Sequence, residues 1–119
     1  HIPSQRSHLA MAAYYKDVDC LMVSSTEQES CGLPLMEAAA AGRLPISTIT
    51  GINRDFVRPT GVLLPMEEKQ FVLSGVDAIN TLKRDNTLFT DLCTKAQEFA
   101  RMYYDWSAVI DNWITLLTK

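Results

Sequence analysis

No stretch of this 119-residue sequence approaches the ~20 consecutive apolar residues that cross a bilayer, and no leader-like segment is present. The expectation is therefore a chain without a transmembrane segment. Cysteine is scarce. Cys20, Cys31 and Cys93 form an odd, scattered set with no Cys-x-x-Cys or Cys/His ligand spacing, which argues for a reduced, cytoplasmic protein with no structural metal. Each cysteine reads as a small buried hydrophobe, with Cys31 as the exception, since a cysteine near a helix N-terminus can have a lowered pKa. Histidine is limited to His1 and His8, both far from any other chemistry-bearing cluster. There is no run of Lys or Arg, and 14 acidic residues against 11 basic ones leave a net charge of −3, which excludes nucleic acid or an anionic membrane as the main partner. Internal repeats and low-complexity linkers are also missing.

What remains is a 47% hydrophobic chain, enough for one domain that buries roughly two-thirds of its unfolded surface. The patterns suggest an α/β layout. Ser7 can cap a helix over about 9–16, and Asp17 to Asp19 break it. Cys20-Leu21-Met22-Val23 is a short unbroken apolar run, as in a strand buried on both faces of a parallel sheet. Leu44 to Thr48 reads as a second such strand, with an exit loop over 48–54, and Val62-Leu63-Leu64 as a third ending at Pro65. From Glu67 onward the period changes to helical. Phe71, Val72, Val76, Ile79 and Leu82 form one stripe, and Leu88, Leu92, Ala96 and Phe99 another, with Asp85-Asn86 between them. A last stripe of Trp106, Val109, Ile110, Trp113, Ile114 and Leu117 reads as helix with one core-type face.

The densest chemistry lies at Glu29-Ser30-Cys31-Gly32-Leu33-Pro34-Leu35-Met36-Glu37. Pro34 suits the first turn of a helix that runs through Ala38 to Ala41 and stops at Gly42. The backbone N–H groups near Gly32 and Leu33 precede the first intrahelical bond, so they can serve a phosphate or a sugar hydroxyl, and Gly32 would let that ligand come close. Glu29 in the loop and Glu37 about one turn into the helix would flank the same opening. An ionised carboxylate is an acceptor-only group that can hold two neighbouring hydroxyl donors, as a ribose diol or a pair of hexose hydroxyls presents. A glutamate early in a helix is also favoured by the macrodipole with no ligand at all, by roughly 0.3–1 kcal/mol.

These residues resemble the donor-site motif E-G-F-G-L-P-x-x-E-A of the retaining, nucleotide-sugar-dependent glycosyltransferases of the GT-B fold, family 4. Here the motif reads E-S-C-G-L-P-L-M-E-A. The likeness extends to Val23-Ser24-Ser25-Thr26, to Ala38 through Gly42, to Thr60 through Pro65, and to Trp106-Ser107. Ser30 and Cys31 stand where the family has Gly-Phe, and Gly42-Arg43-Leu44-Pro45 is one residue longer than its Gly-x-Pro.

The resemblance implies part of a Rossmann-like domain, with residues 1–119 forming the C-terminal part of the nucleotide-sugar-binding domain and the acceptor domain lying elsewhere. It implies transfer of a hexose from a nucleoside-diphosphate sugar to an acceptor hydroxyl with retention, with no metal and no cofactor beyond the donor substrate. At matching positions Glu29 would bind the hexose as the catalytic-site carboxylate, Cys31, Gly32 and Leu33 would face sugar and diphosphate, and Glu37 would take the ribose hydroxyls. Thr50, Gly51 and Arg54 of the second exit loop would contribute contacts, with a pairing of Arg54 to Asp55 as the competing reading. The family's Arg/Lys pair for the leaving diphosphate has no counterpart before the motif, where Arg6 and Lys16 are the only cations. The family's terminal helix crosses back to the N-terminal domain, so the Trp113 face can be an interdomain contact. Implied partners are the donor, an acceptor glycan, lipid or small molecule, and the N-terminal half of the enzyme or a second copy. The implied localisation is cytoplasmic, with peripheral membrane attachment through the N-terminal domain as a variant. A nucleotide-sugar epimerase and a non-catalytic nucleotide-sugar-binding module are the alternatives.

Overall fold

Three short strands lie side by side in chain order and all run parallel: β1 (Cys20–Val23), β2 (Leu44–Thr48) and β3 (Val62–Leu64). The computed structural model describes residues 8–26 and 32–119. Around the sheet stand α1 (His8–Tyr14), α2 (Leu33–Ala40), α3 (Gly51–Val57), α4 (Glu68–Arg84), α5 (Asn86–Tyr104) and α6 (Trp106–Leu117), with a 3-10 turn at Tyr15–Asp17 after α1. Cys20 pairs with Leu44 and Val23 with Ser47 in one ladder, and Ile46 with Val62 and Thr48 with Leu64 in the other. This is the mixed α/β architecture expected from the unbroken apolar runs. The central strand β2 is buried along its whole length, whereas β1 is only half-buried.

Pro45 of the central strand has no N–H to give to a ladder, and a neighbour approaches its backbone closely. That neighbour is Gly61, where any Cβ would collide with the Pro45 carbonyl oxygen and ring.

Two apolar clusters sandwich the sheet. Leu35 and Ala39 of α2, Phe56 and Val57 of α3, and Ala96 and Ala100 of α5 pack against Leu21, Val23 and Leu63. Leu44, Ile46 and Leu64 meet Phe71 and Leu82 of α4 with Phe89 and Leu92 of α5 in the other cluster. The first half of α5 thus serves one cluster and its second half the other. Ala38 and Ala39 are fully buried, so the small side chains of α2 allow close approach to its neighbours. The helix ends as its sequence implies: Gly42 takes φ 72°, Arg43 N–H donates to the Ala38 carbonyl at 2.8 Å, and Gly42 N–H to that of Ala39 at 2.9 Å. Acidic side chains cap the later helices, Glu67 for α4, Asp85 for α5 and Asp105 for α6.

Three sequence expectations change. Residues 51–54 of the exit loop expected over 48–54 belong to a helix, α3, because Asn53, Phe56 and Val57 fall on one face and bury. The first helix stops at Tyr14, short of the expected end at 16, and Tyr15 in the 3-10 turn that follows is buried. The final stripe is not core: α6 has no buried residue, and Trp106 is 82% and Trp113 56% exposed. Part of the α4 stripe, Val72, Val76 and Ile79, is exposed as well. A helical period identifies an apolar face without identifying what covers it.

Candidate functional site

Parallel strands followed directly by helices place the helix starts at one edge. Here α2 begins after the C-terminal end of β1 and α3 after that of β2, which is where open α/β sheets bind ligands. The expected residues Gly32, Leu33, Thr50 and Gly51 all sit at this edge. Glu29 and Cys31 lie outside the described residues. The first intrahelical bonds of α2 are donated by Leu35 and Met36 to the Gly32 carbonyl, at 3.0 and 3.3 Å, so the N–H groups of Gly32 and Leu33 precede the ladder. Leu33 is exposed.

Gly32 is tightly packed. It is buried, with an ordinary φ of −84°, and a Cβ there would collide with the Asn53 Oδ1 atom. The absence of a side chain at Gly32 therefore permits the close approach of a side chain from α3.

Asn53 belongs to a buried polar group missed by the sequence reading. Its Nδ2 donates to Ser47 Oγ at 3.1 Å, and Ser47 Oγ donates to the Thr48 carbonyl at 3.1 Å. Thr48 Oγ1 donates to the Ser25 carbonyl at 2.6 Å, tying the segment that leaves β1 to the end of β2. Ser47, Thr48, Thr50 and Asn53 are all buried. Such a network rigidifies the edge because each member loses a partner if one moves. A Ser-Thr pair ending a strand, with Asn six residues after the serine, was the available signal. Thr50 occupies the position before α3 with extended backbone, and its buried hydroxyl has no hydrogen-bond partner among the described residues. Gly51 follows with φ 43°, a left-handed conformation that glycine adopts without penalty. Arg54 is exposed and pairs with its neighbour Asp55 at 3.1 Å, as in the competing reading.

Glu37 also has a partner that the sequence did not reveal. The Tyr15 hydroxyl donates to Glu37 Oε2 at 3.1 Å, and a longer approach of 3.4 Å reaches the Pro34 carbonyl. Tyr15 is 4% exposed, whereas Glu37 itself is exposed. Burial, and then the negative charge of Glu37, push the phenol up to about 12. Tyr15 is therefore a neutral donor over the physiological range.

A cavity of about 390 Å³ lies elsewhere, lined by Asp19, Cys20, Ile46, Ile79, Leu82, Lys83, Asn86 and Phe89. Asp19 and Cys20 stand at the start of β1, the opposite end of the strand from the helix N-termini. Burial raises the Cys20 and Cys93 thiols, which leaves them poor nucleophiles. Among the described residues no helix is long and apolar enough to cross a membrane.

No family model and no curated protein matches the sequence. Solved structures match the fold. Sucrose-phosphate synthase from Thermosynechococcus elongatus aligns with a TM-score of 0.82 at 24% identity, over 99% of this chain and 29% of that one. HepE of Anabaena in complex with UDP aligns with a TM-score of 0.77 at 21% identity, over 88% of this chain and 29% of that one. The C-terminal domain of the group 1 glycosyl transferase LpcC from Francisella tularensis gives 0.73 at 20% identity, over 88% of this chain and 53% of that domain. The chain thus spans less than a third of the first two proteins and about half of the LpcC domain. Its architecture is that of GT-B glycosyltransferase C-terminal domains.

Proposed function

We propose that this chain supplies the donor-binding half-site of a retaining glycosyltransferase, which moves a hexose from a nucleoside-diphosphate sugar to an acceptor hydroxyl. The observation that carries the proposal is the Glu37 carboxylate, held by Tyr15 one turn into α2, a helix that begins at the edge of a parallel sheet where helix N-termini gather. The fold supports it too, since HepE was solved with UDP and with UDP-glucose on the same architecture.

In this reading Glu37 accepts the ribose diol, and the Gly32 and Leu33 amides with the dipole of α2 face the diphosphate. Glu29 accepts hydroxyls of the hexose. As the bond from the anomeric carbon to the diphosphate oxygen breaks, negative charge grows on the leaving group next to these amides, and the acceptor oxygen attaches on the same face of the sugar while its proton passes to the departing diphosphate oxygen. The chain contributes through positioning and electrostatic stabilisation, each of which acts where charge develops. The other half of the reaction, acceptor binding, belongs to protein outside these residues.

The test separates the two carboxylates in the protein that carries this chain. Glu37→Ala should weaken nucleoside-diphosphate binding by roughly 1.5–3 kcal/mol, the scale of a hydrogen bond to a charged group. Glu29→Gln should lower kcat/KM for transfer while nucleoside-diphosphate affinity stays nearly unchanged. Equal loss of nucleotide affinity in both variants, or in neither, contradicts the assignment.

A further inference from the structure

We propose that Tyr15 is a positioning residue for the nucleotide, fixing the Glu37 carboxylate so that its second oxygen selects a ligand with a vicinal diol; this inference rests on the donor-site reading above.

The geometry is specific. Tyr15 follows α1 directly and its ring is buried, packed edge-on against Tyr14 with centroids 6.0 Å apart. The hydroxyl reaches across 22 residues of sequence to the first two turns of α2. A phenol has one proton to give, and the 3.1 Å contact to a carboxylate oxygen takes it in preference to the 3.4 Å contact to the Pro34 carbonyl. The Pro34 approach nonetheless places the phenol beside the first turn of the same helix. Glu37 is an exposed, flexible side chain, so without a partner its carboxylate would sample several rotamers and lose that freedom on binding. Tethering Oε2 removes much of this loss before the ligand arrives. Oε1, which has no protein partner among the described residues, keeps its acceptor sites for two adjacent hydroxyls. The donor state of Tyr15 is secure because burial and the adjacent charge keep its proton in place up to about pH 12.

The experiment compares the affinities of uridine and adenosine diphosphate, and of their 2′,3′-dideoxy counterparts, for the protein by calorimetry. Four forms are used: wild type, Tyr15→Phe, Glu37→Ala and the double variant. Tyr15→Phe keeps the buried ring, and an unchanged circular dichroism spectrum with a single cooperative urea transition verifies the fold. The expected result is a loss of about 3- to 10-fold for the ribonucleotide in Tyr15→Phe, no matching loss for the dideoxynucleotide, and no further loss when Tyr15→Phe is added to Glu37→Ala. An equal loss for both nucleotides, or a loss that persists in the Glu37→Ala background, overturns the positioning role and makes Tyr15 a packing residue for α1. If Glu37→Ala weakens the ribonucleotide but Tyr15→Phe does not, the positioning role fails and the donor-site reading stands. If Glu37→Ala has no effect, or neither ribonucleotide binds wild type, the donor-site reading itself fails.

Discussion

Replacing Gly32 by alanine distinguishes a glycine kept for a ligand from one kept for packing. The backbone at this position, φ −84° and ψ 59°, has negative φ and carries no left-handed requirement, so the cost of a methyl group is steric. The added Cβ would overlap Asn53 Oδ1 and lie 3.1 Å from Leu35 Cδ1 and 3.2 Å from Asn53 Cγ. Neither neighbour gives way easily. Leu35 and Asn53 are each 1% exposed, and Asn53 is tied to Ser47, which is 0% exposed. Overpacking costs about 1–3 kcal/mol, and displacing Asn53 from Ser47 adds about 0.5–1.5 kcal/mol. A total of about 2–4 kcal/mol follows. At a urea slope of about 2 kcal/mol per molar, the unfolding midpoint should fall by roughly 1–2 M. Asn53→Ala removes the obstructing oxygen, so the double variant should be more stable than the sum of the single effects by at least about 1 kcal/mol. An unchanged midpoint in Gly32→Ala, with nucleotide affinity lost, would refute the packing argument and return Gly32 to the role of ligand approach.

Two further outcomes are expected. The folded-state pKa of Tyr15 lies above the usual value of 10.0, at about 12, so its contribution to stability is complete below pH 10 and is lost as pH rises toward 12, where the unfolded chain ionises and the folded one resists. Chemical denaturation from pH 9 to 12 should show a stability decline on the order of 2 kcal/mol steeper in wild type than in Tyr15→Phe, and parallel curves would contradict the buried hydrogen bond. The isolated chain exposes Trp106, Trp113 and Leu117 on α6, and the outer edge of β1 is unpaired among the described residues. Light scattering after size exclusion should give a mass above the monomer that drops in Trp113→Ser, and a monomer at every concentration would count against this.

The parts of the fold that sequence revealed are those with local signals. Pro34 and Gly42 bracket α2 within a residue or two, and the short runs Cys20–Val23 and Leu44–Thr48 are strands, the second covered on both faces of the parallel sheet and the first half-buried. Helix α3 was hidden because its buried face is Asn53, Phe56 and Val57, with a polar residue in an apolar position. The site was legible in its carboxylate Glu37 and in the helix start, since a motif of fixed spacing carries both. Its supporting shell was not. Tyr15 and Glu37 meet across 22 positions, and Ser47, Asn53 and Gly32 meet only when β2, α3 and α2 are assembled. Long-range polar contacts leave no period in the sequence, and neither does the exposure of the α6 stripe.

The most direct measurement of the central claim is an amide chemical-shift titration of the isotopically labelled chain with uridine and adenosine diphosphate. If the edge formed by the starts of α2 and α3 holds the donor, the largest shifts fall on the amides of Gly32, Leu33, Glu37, Thr50 and Gly51, and they disappear with inorganic phosphate at the same concentration for Glu37 but not for Gly32 and Leu33. Shifts centred on Asp19, Lys83 and Phe89, the residues around the cavity at the opposite end of β1, or no saturable shift at all, would contradict it.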